Sequence, residues 1–165
     1  MSSIQIREAQ VSDAGPITNI YNYYIRETIL TFDLDEIGIS DFEKKIPTIQ
    51  KSYPFIVATQ NNRVIGYAYA SQWKTKAAYK HTAETTIYMN PDDRSKGTGL
   101  RLYNALLSSM PLYDLVTAIG GITIPNEASI KLHKKLGFHK VAEFKKVGFK
   151  FDEWIDVEYW QKHVG

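Results

Sequence analysis

The apolar positions of the chain switch between a period of two and a helical period several times, and each switch marks an element. Ile4 and Ile6 alternate with polar neighbours and predict a first strand near residues 3–8. Ile17, Ile20, Tyr21, Tyr24 and Ile25 then share a helical face behind a cap at Ser12 or Asp13. After a loop around Thr31-Phe32-Asp33, Ser40-Asp41-Phe42-Glu43 has the form of a capping box. It opens a second helix, which Pro47 is expected to kink or divide. Strands at 55–59 and 64–73 follow, joined by Gln60-Asn61-Asn62-Arg63, whose asparagines tolerate the positive φ of a hairpin turn. The β-branched stretch 82–89 predicts a strand that Asn90-Pro91 stops. Tyr103, Leu106, Leu107 and Met110 form one stripe of a helix over 97–110. A buried strand at 115–124, a short helix at 126–136 closed by Gly137, and strands at 138–144 and 154–160 complete the chain. The order β-α-α-β-β-β-α-β-α-β-β predicts one α+β domain over residues 1–165, built around a mixed sheet.

Composition removes several classes of function. A net charge of +2 is too slight to make nucleic acid the main partner. The absence of cysteine excludes disulfides, thiolate metal sites and a cysteine that could carry an acyl group. His81, His133, His139 and His163 are scattered without metal-ligand spacing, so no metal is expected. No apolar run nears the roughly 20 residues of a membrane span, and the first residues lack the form of a signal peptide. The expectation is a cytoplasmic protein without a membrane partner.

The candidate chemistry begins at Arg94-Ser95-Lys96-Gly97-Thr98-Gly99, between a strand and a helix. Two glycines there let the backbone approach a ligand, and the helix start suits a pyrophosphate. A plain tight turn would use the same residues. The Walker pattern is absent, and the dinucleotide fingerprint fails because its third glycine position holds Leu102. The arrangement Arg-x-x-Gly-x-Gly after a strand instead resembles the acetyl-CoA loop of the GNAT superfamily of N-acetyltransferases. The segment from Asn126 to Phe138 resembles that superfamily's second motif, Asn-x-x-(Ala/Ser)-x-x-Leu-(Tyr/His)-x-x-x-Gly-Phe. The resemblance implies a GNAT-type α+β fold, with a mostly antiparallel sheet of six to seven strands and about four helices. It also implies acetyl-CoA as co-substrate, held by Ile87, Tyr88 and Met89, by Arg94, Ser95, Lys96, Gly97, Thr98 and Gly99, and by Asn126. A backbone N–H near Met89 would polarise the acetyl carbonyl. Asn126 and His133 lie seven residues apart, so they share a helix face about 10 Å apart. Asn126 could equally be a plain N-cap, and His133 a packed helix residue.

Two further runs narrow the family. Trp73 to Met89, basic and aromatic before a strand with a glutamate, is similar to the phosphinothricin acetyltransferase family, as is the C-terminal run Gly148 to Gln161. That resemblance implies Glu84 as general base, because only an unprotonated amine attacks a thioester. It places His133 where relatives carry the acid for the departing thiolate, and Phe32, Lys74, Lys76 and Tyr79 at the substrate. Strand alternation sets Thr82, Glu84, Thr86 and Tyr88 on one face and Ile87 and Met89 on the other. The alternatives are a Glu84 paired with a lysine across the sheet, ordinary surface lysines at 74 and 76, and a core role for Tyr88. Lys76 departs from the family's usual arginine and cannot grip an acid group with two prongs. The implied acceptor is the amine of a small amino-acid-like molecule such as phosphinothricin, methionine sulfoximine or methionine sulfone, and family members are commonly homodimers. The rival readings are an acetyltransferase for protein N-termini or lysines, and a silent CoA-binding module.

Overall fold

The computed structural model describes residues 2–93 and 95–165. The elements are β1 (Gln5–Glu8), α1 (Ala14–Glu27), α2 (Ile39–Gln50), β2 (Phe55–Gln60), β3 (Arg63–Gln72), β4 (Thr82–Met89), α3 (Thr98–Ser109), β5 (Thr117–Ile124), α4 (Glu127–Lys135), β6 (His139–Lys150) and β7 (Glu153–His163). Among the described residues one seven-stranded sheet runs β1-β2-β3-β4-β5-β7-β6, in which only the β4–β5 pair is parallel. This is the expected α+β architecture with the expected order of elements.

Period-two alternation splits the core into two layers. Phe55 and Val57 of β2 pack with Ile17, Ile20, Phe42, Ile46 and Ile49 of α1 and α2. Their neighbours Ile56 and Ala58 face the opposite layer, with Leu102, Tyr103, Leu106 and Leu107 of α3. Ala68, Ala70, Ala83 and Ala118 line the sheet beneath α3, and their small side chains let the helix lie close. Tyr88 packs into the first layer and Ile87 and Met89 into the second, as alternation requires.

The details differ from the pattern in three places. Pro47 does not divide α2, which runs unbroken from Ile39 to Gln50. One backbone bond is lost there, and Phe42, Ile46 and Ile49 hold both sides of the proline in the core. The cap of that helix is Gly38, whose N–H donates to Asp41 at 3.1 Å, rather than Ser40. The last two strands are longer than their apolar runs, because Phe151 and Asp152 both take positive φ (53° and 58°) and close a tight hairpin without glycine. The Asn61-Asn62 turn has positive φ at both residues, as expected (51° and 62°).

The β4–β5 pairing creates the site. The parallel ladder joins only Thr82, Ala83 and Glu84 to Thr117, Ala118 and Ile119. Beyond it β4 continues to Met89 and β5 to Ile124 without pairing to each other, so the strands part and a cleft opens between them.

Candidate active site

The cleft has a volume of about 440 Å³ and passes through the sheet between its two layers. On the α1–α2 side it is lined by Phe32, Glu84, Thr86, Tyr88 and Tyr159, and on the α3–α4 side by Gly99, Tyr103, Leu132 and His133. Gly120 and Gly121 lie side by side in β5 where the two sides meet. A Cβ on Gly120 would strike His133 Nε2 at 2.6 Å, and one on Gly121 would come within 3.5 Å of Glu84 Oε1 and 3.3 Å of the Tyr159 ring. Adjacent residues of a strand point to opposite faces, so the pair keeps both mouths of the cleft open.

Glu84 sits at the point of divergence, paired across β3 with Ser71 and across β5 with Ile119. Burial pushes its carboxyl above the ordinary carboxylate range, while the Lys74 ammonium pulls it back. Among the described residues its carboxylate accepts no hydrogen bond and forms no ion pair. That separates it from a structural carboxylate neutralised across the sheet. Tyr159 is raised in turn by burial and by the nearby Glu84 charge.

A hydrogen-bond chain occupies the other side. His133 Nδ1 lies 2.7 Å from the Ser129 carbonyl oxygen, which can only accept. Nδ1 therefore carries the proton, and Nε2 accepts from the Tyr103 hydroxyl at 3.0 Å. Thr85 Oγ1 lies 2.5 Å behind that hydroxyl. Burial lowers the His133 imidazole below the ordinary histidine value and raises the Tyr103 phenol, so both rest neutral.

At the start of α3, Gly97 takes φ +83°, a left-handed conformation that favours glycine. Ser95 is tied to Asp93 and Thr98 by its hydroxyl, at 2.7 Å each. Asn126 caps α4 by accepting from the Ser129 N–H at 3.1 Å and lines the cleft as well. Backbone groups of β4 that point towards β5 beyond Glu84 have no strand to pair with, an arrangement that suits an extended, amide-bearing ligand. Thr123 Oγ1, also in the lining, is buried without a hydrogen-bond partner among the described residues.

Of the residues singled out in the sequence, Phe32, Glu84, Ile87, Tyr88, Met89, Gly99, Asn126 and His133 converge on the cleft. Lys74 is beside it, close enough to act on Glu84. Ser95, Lys96, Gly97 and Thr98 form the turn into α3 outside the lining, and Arg94 lies outside the described residues. Lys76 and Tyr79 are exposed on the 74–80 loop and do not line the cleft. Tyr103, Thr123 and Tyr159 were missed. Tyr103 reads as one more member of an apolar stripe, and only the Gly120-Gly121 pair inside a strand pattern hinted that something approaches β5 closely. Among the described residues no group of three or more His, Asp or Glu comes together as a metal site, and no helix is long and apolar enough to cross a membrane.

Residues 6–159 match the family described as acetyltransferase (GNAT) domain. The chain belongs to the GNAT acetyltransferase family. Among its relatives, phosphinothricin N-acetyltransferase of Streptomyces coelicolor is 34% identical over 98% of this chain and 96% of its own length. L-methionine sulfoximine/L-methionine sulfone acetyltransferase of Pseudomonas aeruginosa is 31% identical, with 98% and 95% covered. The solved structure of a GNAT phosphinothricin acetyltransferase from Sinorhizobium meliloti in complex with acetyl-CoA superposes with a TM-score of 0.93 at 31% identity, covering 98% of this chain and 89% of that one. The GNAT domain spans nearly the whole chain, which is an enzyme of the acyltransferase class.

Proposed function

We propose that this acetyltransferase moves the acetyl group of acetyl-CoA directly onto the amine of a small amino-acid-like acid, of the phosphinothricin, methionine sulfoximine or methionine sulfone type, with Glu84 as general base. The observation that carries the reading is Glu84 itself: a half-buried carboxylate without a hydrogen-bond or ion-pair partner among the described residues, set where the cleft crosses the sheet.

The residues present fit acetyl-CoA. The unpaired edge of β4, the orphaned Thr123 hydroxyl and the amide of Asn126 offer hydrogen-bonding groups to its pantetheine arm. Gly99 has only Met89 Cγ near its missing Cβ, at 3.7 Å, and the start of α3 offers N–H groups to the pyrophosphate. When bound, acetyl-CoA supplies an activated acyl carbon and a good leaving group. Glu84 takes the proton from the acceptor's ammonium, directly or through water, and so frees the nucleophile. A backbone N–H near Met89 stabilises the oxyanion. The Tyr103 hydroxyl, held in place by His133 Nε2, gives its proton to the departing sulfur, and the phenolate left behind takes a proton back from solvent. Lys74, beside Glu84, offers a cation to the acceptor's acid group, and Phe32 completes the acceptor side.

The outer hairpin supports a homodimer. β6 is an edge strand, and Val147, Phe149, Phe151 and Trp154 at the hairpin end are exposed. We place the enzyme in the cytoplasm, a compartment that supplies acetyl-CoA. The direct test of the chemistry is Glu84→Gln. Turnover of methionine sulfone should fall roughly a hundredfold or more while the calorimetric affinity for acetyl-CoA stays unchanged; normal turnover removes Glu84 from the mechanism.

A further inference from the structure

The α1–α2 connection brings Leu30, Thr31 and Phe32 to the wall of the cleft, although the segment has no helix or strand of its own. It is nevertheless tied at each successive residue. The Leu30 carbonyl accepts from the Tyr88 hydroxyl at 3.1 Å, and the Thr31 carbonyl from Lys150 Nζ at 2.9 Å. The Tyr21 hydroxyl donates to the Asp33 carboxylate and lies 2.8 Å from Thr31 Oγ1. The Phe32 ring lies over Gly148, where a Cβ would come within 2.3–2.8 Å of three ring atoms.

Two of these ties come from β6, far away in sequence, and neither is explained by the strand itself. Gly148 is not among the residues with positive φ, so its backbone accepts any side chain; what requires glycine is the space under the ring. Lys150 is only 3% exposed. Burying an ammonium is unfavourable unless it is hydrogen-bonded, and a methionine would fill the same volume without that penalty. Burial lowers the Lys150 ammonium, and Asp33 opposes the shift. Positions 148 and 150 share one face of β6, while Phe149 between them points the other way and is exposed.

We infer that Gly148 and Lys150 are positioning residues that set the acceptor end of the cleft: Gly148 seats the Phe32 ring, and Lys150 holds the backbone that carries it. The inference deepens the proposed function, on which its kinetic readout rests. That readout is the KM for methionine sulfone in the wild type, Gly148→Ala, Phe32→Leu and the double variant. Gly148→Ala should raise that KM about tenfold, a coupling of the size expected between touching residues, with kcat and the KM for acetyl-CoA little changed. In the Phe32→Leu background it should add nothing, because the ring it displaces is gone. An equal rise in both backgrounds, or none in either, overturns the seat. Lys150→Met should raise the same KM, and Lys150→Arg should restore part of the loss.

Hydrogen exchange reads the clamp without any acceptor. Amides of residues 30–33 should exchange at least tenfold faster in Lys150→Met than in the wild type, with exchange in α3 unchanged as the control for folding. Unchanged exchange at 30–33 overturns the role of Lys150. Should the wild type turn over no methionine-like acid, the substrate reading fails while exchange still decides the clamp.

Discussion

Glu84 carries opposite consequences for stability and for activity. Its folded carboxyl titrates above its ordinary value of 4.5, so between those two points the folded protein holds a proton that the unfolded chain has released. Stability contributed by this group is complete below the ordinary value and is lost as pH rises through the raised one. At pH 8 Glu84→Gln should therefore melt no lower than the wild type, and higher if nothing else changes; below the ordinary carboxylate range the difference should vanish. In the proposed mechanism activity runs the other way, because a base works only when unprotonated. The acidic limb of kcat/KM should lie above the ordinary carboxylate range with unit slope, and any limb from the acceptor amine should lie higher still. A limb at the ordinary carboxylate value would mean that a solvated group is the base. Resemblance to the family's motifs made Glu84, Asn126 and His133 legible. The motifs could not show that His133 hands its Nε2 to Tyr103, since a tyrosine in an apolar helical stripe reads as core.

The decisive feature among the elements is a ladder that stops early. β4 and β5 pair over three residues and then separate, and everything that the cleft offers follows from that divergence. The sequence showed both strands and the glycine turn into α3. It did not show the splay, because pairing depends on how two distant strands are laid against α3 and α4 rather than on the composition of either. The same limit hid the length of β6 and β7, whose hairpin turns on Phe151 and Asp152 without a glycine to announce it. Pro47 misled in the other direction: the signal was real, but the buried residues around it outweigh one missing hydrogen bond. The divergence makes a prediction at Gly99, which lines the cleft at the first turn of α3. Gly99→Arg should abolish acetyl-CoA binding by calorimetry while the far-ultraviolet circular dichroism remains that of the wild type. Binding that persists in this variant would move the cofactor away from the start of α3.

Across the whole molecule the sheet acts as a partition. The α3–α4 layer supplies the glycine turn, Asn126 and the Tyr103–His133 pair, and the α1–α2 layer supplies Phe32, Tyr88 and the aromatic wall around them. Glu84 and the Gly120-Gly121 pair stand at the opening between the layers. In the proposed mechanism acetyl donor and acceptor amine approach from opposite faces and meet at one carboxylate. The exposed apolar end of the β6–β7 hairpin lies outside this division, and the dimer proposed for it predicts sedimentation at twice the 18.9 kDa chain mass. Trp154→Lys should shift the protein towards the single-chain mass; a wild type that sediments as one chain at micromolar concentration would refute the dimer. The central claim is the acceptor class, and release of CoA followed with a thiol reagent tests it most directly. The chain has no cysteine, so every thiol detected comes from the co-substrate. Against phosphinothricin, methionine sulfoximine, methionine sulfone, the standard amino acids, polyamines and a short peptide with a free N-terminus, turnover should be selective for the methionine-like acids. Turnover of the peptide alone, or of none of these amines, would contradict it.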